Sequence, residues 1–149
     1  MNKKKISDFF KIYKIEPQNK LQANFYEESV QAGFPSPAED YIEGALDLNE
    51  LFFTRPSATY IVRVAGDSMI EVGIYEGDLL IVDRSLNPRN NDIVIAEVDG
   101  EFTVKRFLQK DEKTVILEPA NMNYKPIIVT ADHELVIWGV VVGVVRKLR

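Results

Sequence analysis

Ala65-Gly66-Asp67-Ser68-Met69-Ile70, running on into Gly73-Ile74-Tyr75-Glu76-Gly77-Asp78, is the stretch around which the chain is organised. A β-type run, Ala58-Thr59-Tyr60-Ile61-Val62-Arg63-Val64, leads into it and stops at Gly66. Glycine turns the backbone there without Cβ strain. Asp67-Ser68-Met69 then opens a short helical turn, whose first N–H groups have no partner inside the turn. A serine hydroxyl beside unpaired donors has the parts of an acyl-transfer nucleophile and its oxyanion hole.

Serine alone attacks weakly and needs a base. The one histidine, His133, falls in the polar run Thr130-Ala131-Asp132-His133-Glu134, which reads as an exposed loop. Lys105 is the better candidate. It lies 37 residues after Ser68, in the strand-like run Glu101-Phe102-Thr103-Val104-Lys105-Arg106-Phe107. Lysine acts as a base only when neutral, and burial among apolar groups lowers its pKa by disfavouring the ammonium. Each residue also has a plainer reading. A serine after glycine is ordinarily a turn residue, and a lysine on a strand is ordinarily solvated.

The chain has 149 residues, 46% hydrophobic and 10% aromatic, which suits one domain with a real core and leaves room for an added arm. The absence of cysteine removes disulfides, thiolate zinc sites and cysteine nucleophiles, and it suits a reducing compartment. One histidine and no cysteine make a poor ligand set, so neither a metal nor another cofactor is expected. No apolar run reaches membrane-spanning length, and Met1-Asn2-Lys3-Lys4-Lys5 is not followed by a signal-peptide core. The expectation is a soluble, cytoplasmic protein with no membrane partner. The net charge of −5 is uneven: residues 1–31 hold six lysines against four carboxylates, +2, which leaves −7 on the rest. An acidic body is a poor surface for duplex phosphate, so direct sequence-specific DNA binding is not expected.

Residues 1–31 scatter Ile6, Phe9, Phe10, Ile12, Tyr13 and Ile15 among lysines, and Pro17-Gln18-Asn19 interrupts the pattern. They read as an arm whose aromatic residues dock, with an ordinary N-terminal strand or helix as the alternative. Gln31-Ala32-Gly33-Phe34-Pro35-Ser36-Pro37 is a hinge, because two prolines and a glycine forbid helix. Its Ala32-Gly33 pair has the smallest side chains in the region and suits entry into a narrow site. A short helix is expected after the prolines, ending near Gly44, followed by an extended segment in which Leu46 and Leu48 alternate with Asp47 and Asn49.

From Ala58 onward the pattern is β. Asp78–Asp83 is an apolar run between aspartates, as a buried strand has. Asp99-Gly100 signals a two-residue hairpin that sets Glu101–Leu108 antiparallel to Asp92–Val98. On the second of these strands Phe102, Val104 and Arg106 share one face, and Thr103, Lys105 and Phe107 the other. Lys105 thus lies off the plainly apolar stripe, and its burial is expected to come from the segment carrying Ser68 and Met69. Lys113–Glu118 and Pro126–Thr130 read as further strands. Leu135–Leu148 reads as a long one, with Gly139 and Gly143 marking bends or bulges. The fold class is mainly β, of short, curved antiparallel strands in a sandwich or barrel-like arrangement, with an extended N-terminal arm.

Two separated blocks carry a family resemblance: Gly66-Asp67-Ser68-Met69 with Gly77-Asp78-Leu79-Leu80-Ile81-Val82-Asp83, and Asp99-Gly100-Glu101-Phe102-Thr103-Val104-Lys105-Arg106. The chain resembles the self-cleaving Ser–Lys peptidases of the LexA/UmuD family, most closely on the UmuD side. The likeness runs from about Gly33 to Arg149, through Phe34-Pro35-Ser36-Pro37-Ala38, Pro56-Ser57-Ala58-Thr59-Tyr60 and Trp138-Gly139-Val140-Val141. Asn91-Asp92 stands where relatives commonly have Gly-Asp, and asparagine also tolerates a left-handed backbone.

The resemblance implies residues 1–32 as an arm removed by self-cleavage and 33–149 as the peptidase-like domain. It implies Ser68 as nucleophile, Lys105 as general base and Ala32-Gly33 as the bond cut. The backbone N–H groups of Ser68 and Asp67 are the expected oxyanion donors. It further implies stimulation by the RecA–single-stranded DNA filament, a homodimer, and assembly of the shortened form with a UmuC-like Y-family polymerase subunit for translesion synthesis. Two other readings are a non-catalytic polymerase accessory module, and a LexA-type or phage regulator. The regulator needs a DNA-binding domain that residues 1–31 are too short to supply.

Overall fold

The structure, a computed structural model, describes residues 12–14, 22–25 and 44–149. The Ala32-Gly33 hinge and the helix expected between Pro37 and Gly44 lie outside these residues. The chain divides into two compact units, one between Glu16 and Thr54 and the other holding Arg55–Arg149 together with the first strand.

That first strand is β1 (Ile12–Lys14). In the smaller unit β2 (Gln22–Phe25) pairs antiparallel with β3 (Gly44–Asp47), Gln22 opposite Asp47 and Phe25 opposite Gly44. A one-turn helix, α1 (Leu48–Phe52), follows at once. The extended segment expected through Leu48 and Asn49 is therefore helical. The reason is local: the Asp47 carboxylate accepts the Asn49 N–H at 2.9 Å and caps the turn, which outweighs the weak alternation of Leu46 and Leu48.

The larger unit is one antiparallel sheet. Its remaining strands are β4 (Thr59–Arg63), β5 (Leu79–Asp83), β6 (Ile93–Val98), β7 (Glu101–Gln109), β8 (Val115–Glu118), β9 (Ile127–Val129) and β10 (Leu135–Val145). Their order is β1-β4-β5-β10-β6-β7-β8-β9. β10, last in sequence, thus lies between β5 and β6 at the centre. Short 3₁₀ turns occupy Pro56–Ala58 and Ile70–Val72.

Local chemistry explains several of these elements. Asp99 and Gly100 have φ of 50° and 83°, as a two-residue primed hairpin turn requires, and Val98 faces Glu101 across it. Asn91 has φ 75° and keeps the left-handed turn expected of it. β10 shifts register between Ile137 and Gly139, and again between Val141 and Gly143. Those irregularities fall where its two glycines suggested them, and they bend the strand. Gly139 is required by space: a Cβ there would stand 2.5 Å from a methyl of Val82.

The curled sheet has a core on each face. One holds Val62, Leu80, Val82, Ile95, Val104 and Trp138, together with Met69 and Ile74 from the serine-bearing segment. The other holds Val94, Ala96, Phe107, Leu117, Val129 and Val140. β6 contributes Ile95 to the first and its neighbours Val94 and Ala96 to the second, as the two-residue period of a strand demands. Two buried aspartates end β5. Asp78 receives two hydrogen bonds from Arg146 and one from the Tyr75 N–H, and the arginine bonds hold its carboxyl below the usual carboxylate range. Burial opposes ionisation of Asp83, but the hydroxyl and N–H of Ser85 and the Arg55 guanidinium prevail and lower its pKa.

Candidate active site

Gly66, at φ 87°, ends the extended segment after β4 and reverses the chain into Asp67-Ser68-Met69. Met69 is anchored in the first core at 2% exposure, so the half-buried Ser68 beside it is fixed at the edge of that core. Lys105 comes from the middle of β7. Its Nζ lies 2.9 Å from Ser68 Oγ, 2.7 Å from Thr103 Oγ1 and 3.0 Å from the Val104 carbonyl oxygen. Two residues 37 positions apart are thus in direct contact, and Thr103, on the same face of β7, is the third member.

Lys105 is only 6% exposed. Burial lowers its pKa from the ordinary lysine value of 10.5. Its environment is built from both sides. The Ser68 turn covers the tip, as expected from the sequence. The sheet buries the stem as well, because Lys105 pairs with Val94 across β6 and shares its face with Phe107. An ammonium donates to all three oxygens around Nζ. A neutral amine donates to Thr103 and Val104 and turns its lone pair to the Ser68 hydroxyl, which then donates to nitrogen. The same contacts therefore serve both protonation states.

A small cavity of about 90 Å³ adjoins Ser68, bounded by Val64, Gly66 and Met69 on one side and by Phe102, Thr103 and Val104 on the other. Its size suits a small side chain of up to about three methyl-sized groups. His133 stands apart from this site, in an exposed turn where its ring bonds Thr130. Among the described residues no group of three or more His, Cys, Asp or Glu side chains could hold a metal ion. Likewise among them, no helix is long and apolar enough to cross a membrane.

The loop after β8 belongs to the site and was not read from the sequence. The Ala120 N–H donates to the Ser68 carbonyl at 2.8 Å, and the Asn121 side-chain amide donates to the Asp67 carbonyl at 2.9 Å. The Glu71 N–H returns a bond to the Ala120 carbonyl, and the Tyr124 hydroxyl donates to the Asp67 carboxylate. That carboxylate raises the Tyr124 pKa. Thr103 had a signal, since it stands two residues before Lys105 on a strand. Ala120 and Asn121 had none, because the carbonyls they hold, those of Ser68 and Asp67, lie more than fifty positions away.

A curled antiparallel sheet that sets a serine hydroxyl against a desolvated lysine amine is the framework of a serine peptidase fold. Comparison with known proteins agrees: the family described as Peptidase S24-like matches residues 24–142. Protein SamA of Salmonella typhimurium is 48% identical over 127 residues, which cover 85% of this chain and 87% of that protein. Protein ImpA of Escherichia coli is 47% identical over 125 residues, 83% of each chain. Protein MucA of Escherichia coli is 44% identical over 118 residues, 78% of this chain and 80% of that one. The chain belongs to the Peptidase S24-like family, and its likeness to these UmuD-family proteins makes it UmuD-like.

Proposed function

We propose that the protein is an SOS-mutagenesis factor that cuts its own chain between Ala32 and Gly33, with Ser68 as nucleophile and Lys105 as general base. One observation carries this reading: the 2.9 Å contact between Ser68 Oγ and a buried Lys105 Nζ whose other partners are in place. Neutral Lys105 takes the hydroxyl proton as Ser68 Oγ bonds to the Ala32 carbonyl carbon. The carbonyl oxygen becomes an oxyanion, facing backbone N–H groups of the Asp67-Ser68 turn. The C–N bond then breaks, and the Lys105 proton passes to the nitrogen of Gly33, which leaves as a free amine. Water, deprotonated by the same lysine, hydrolyses the ester and restores Ser68.

The small cavity beside Ser68 supports alanine as the residue before the cut. Self-cleavage divides the chain into an arm of residues 1–32 and a domain of residues 33–149. The UmuD-like family membership supports the remaining parts of the proposal: a cytoplasmic homodimer, stimulated by the RecA–single-stranded DNA filament, whose shortened form serves a UmuC-like translesion polymerase subunit. Whatever fraction of Lys105 is protonated cannot act as base, which slows unaided cleavage, so a partner that docks the hinge into the site has a reason to exist.

Incubation of the purified protein from pH 7 to pH 10, followed by mass spectrometry, tests the proposal. A break between Ala32 and Gly33 is expected, faster as pH rises and absent in Ser68→Ala and Lys105→Ala. Cleavage that survives Ser68→Ala, or none at any pH, refutes it and favours a non-catalytic accessory role.

A further inference from the structure

Among the described residues the Ser68 N–H has no hydrogen-bond partner, whereas the carbonyl of the same peptide unit, that of Asp67, is held by Asn121. We infer that Asn121 is a positioning residue for the oxyanion hole. By holding the Asp67 carbonyl on one side, its side-chain amide aims the Ser68 N–H at the reacting carbonyl on the other. This rests on the Ser–Lys reading above.

The geometry of the peptide bond carries the argument. Every peptide described is trans, so the C=O and N–H of one unit point in opposite directions. Fixing the Asp67 oxygen therefore fixes the direction of the Ser68 hydrogen. Without that bond the Asp67 carbonyl keeps only the longer contact from the Ile70 N–H, at 3.4 Å against 2.9 Å from Asn121, and the unit is held less tightly about its flanking torsions at Asp67 and Ser68. The neighbouring unit is held in the same way, with the Ser68 carbonyl accepting the Ala120 N–H. Two consecutive residues of one loop thus grip both carbonyls flanking the serine, and the N–H groups face away from that loop.

The side chain of Asn121 is itself held. It is 5% exposed, and its Oδ1 accepts the Asn123 N–H at 3.0 Å while its Nδ2 donates to Asp67. A carbonyl only accepts and a backbone N–H only donates, so the amide fits in one orientation. An aspartate at this position keeps the acceptor for Asn123 and loses the donor to Asp67. In the reaction the Ser68 N–H would donate to the carbonyl oxygen as it gains the electron pair of the broken π bond, a bond that strengthens in the transition state.

The experiment follows first-order self-cleavage of the full chain from pH 7 to pH 10.5 in wild type, Asn121→Asp and Asn121→Ala, with near-ultraviolet circular dichroism as the check on folding. Both variants are expected to keep the wild-type spectrum and the wild-type pH midpoint, which belongs to Lys105. Their plateau rates are expected to fall on the order of 10²-fold, the usual result of misplacing a reacting group. Plateau rates within about threefold of wild type overturn the inference while leaving the Ser–Lys reading standing. So does a moved midpoint at an unchanged plateau, which would place the effect on Lys105. A rate loss that only follows loss of the folded spectrum in both variants also overturns it. A wild type that does not cleave removes the Ser–Lys reading and this inference together.

Discussion

Val94 and Lys105 face one another across the β6–β7 ladder, the first fully buried and the second 6% exposed. A potential cation therefore stands where the fold supplies an apolar neighbour, and burial lowers its pKa. The unfolded chain holds the Lys105 proton more tightly than the folded one. Stability from this group is thus missing below the folded pKa and returns as pH rises from there towards 10.5. Lys105→Met should accordingly be more stable than wild type at pH 7, by on the order of 1 kcal/mol. The gap should narrow as pH approaches 10. Urea unfolding midpoints at several pH values decide this, and a Met variant less stable than wild type at pH 7 would contradict it.

Thr103 Oγ1 accepts a hydrogen bond from Lys105 Nζ, one that favours the charged amine and also orients the neutral one. Thr103→Val should shift the pH midpoint of self-cleavage downward, because the ammonium loses an acceptor. It should also lower the plateau rate, by about tenfold, because Nζ loses a restraint. A complete pH–rate profile separates the two effects. An unchanged midpoint would show that Thr103 does not influence the titration.

Gly139 has no room for a side chain, since an added Cβ meets the fully buried Val82 at 2.5 Å. Gly139→Ala should cost about 1–3 kcal/mol, the usual penalty of forcing extra volume into a packed core. Chemical denaturation of the two proteins measures it. A loss below about 0.5 kcal/mol, the scale of an ordinary surface substitution, would mean that the bulge moves aside freely.

Asp78 is 2% exposed and depends on Arg146, which also bonds the Gly73 carbonyl and lies 4.5 Å from the centre of the Tyr75 ring. The folded Asp78 pKa is lowered. Its contribution is therefore complete above the unfolded carboxylate value of about 3.9 and is lost as pH falls through the folded one. Arg146→Ala should lower the thermal midpoint clearly at pH 7 and hardly at all near pH 2. A deficit that is the same at both pH values would assign the effect to the Tyr75 contact instead.

The strands were legible because their chemistry is local. An apolar run between aspartates, an Asp-Gly pair and the two glycines of β10 each act within a few residues of themselves. The Ser68–Lys105 pair was legible through family resemblance, since the 36 intervening residues carry no measure of distance. The burial of Lys105 was read from one side only. The Asp99-Gly100 hairpin already sets Val94 opposite it, but β6 is buried on both faces and shows no alternation to say which residue matters. Asp47 misled through a cap that competed with an alternating pattern. Asn121 was hidden because a loop amide holding a distant carbonyl leaves no periodic trace.

The central position of β10 has a consequence for protein synthesis. β4 and β5 flank Ser68 in sequence, and β7, paired with β6, carries Lys105, yet in the ladder the two pairs are joined only through β10. β10 (Leu135–Val145) follows every other described strand of the sheet in sequence. A nascent chain has therefore made both halves of the site long before it makes the strand that unites them. On the proposed reading, cutting at Ala32-Gly33 waits until β10 has been made and has joined the two halves, so the order in which the strands are made protects a growing chain.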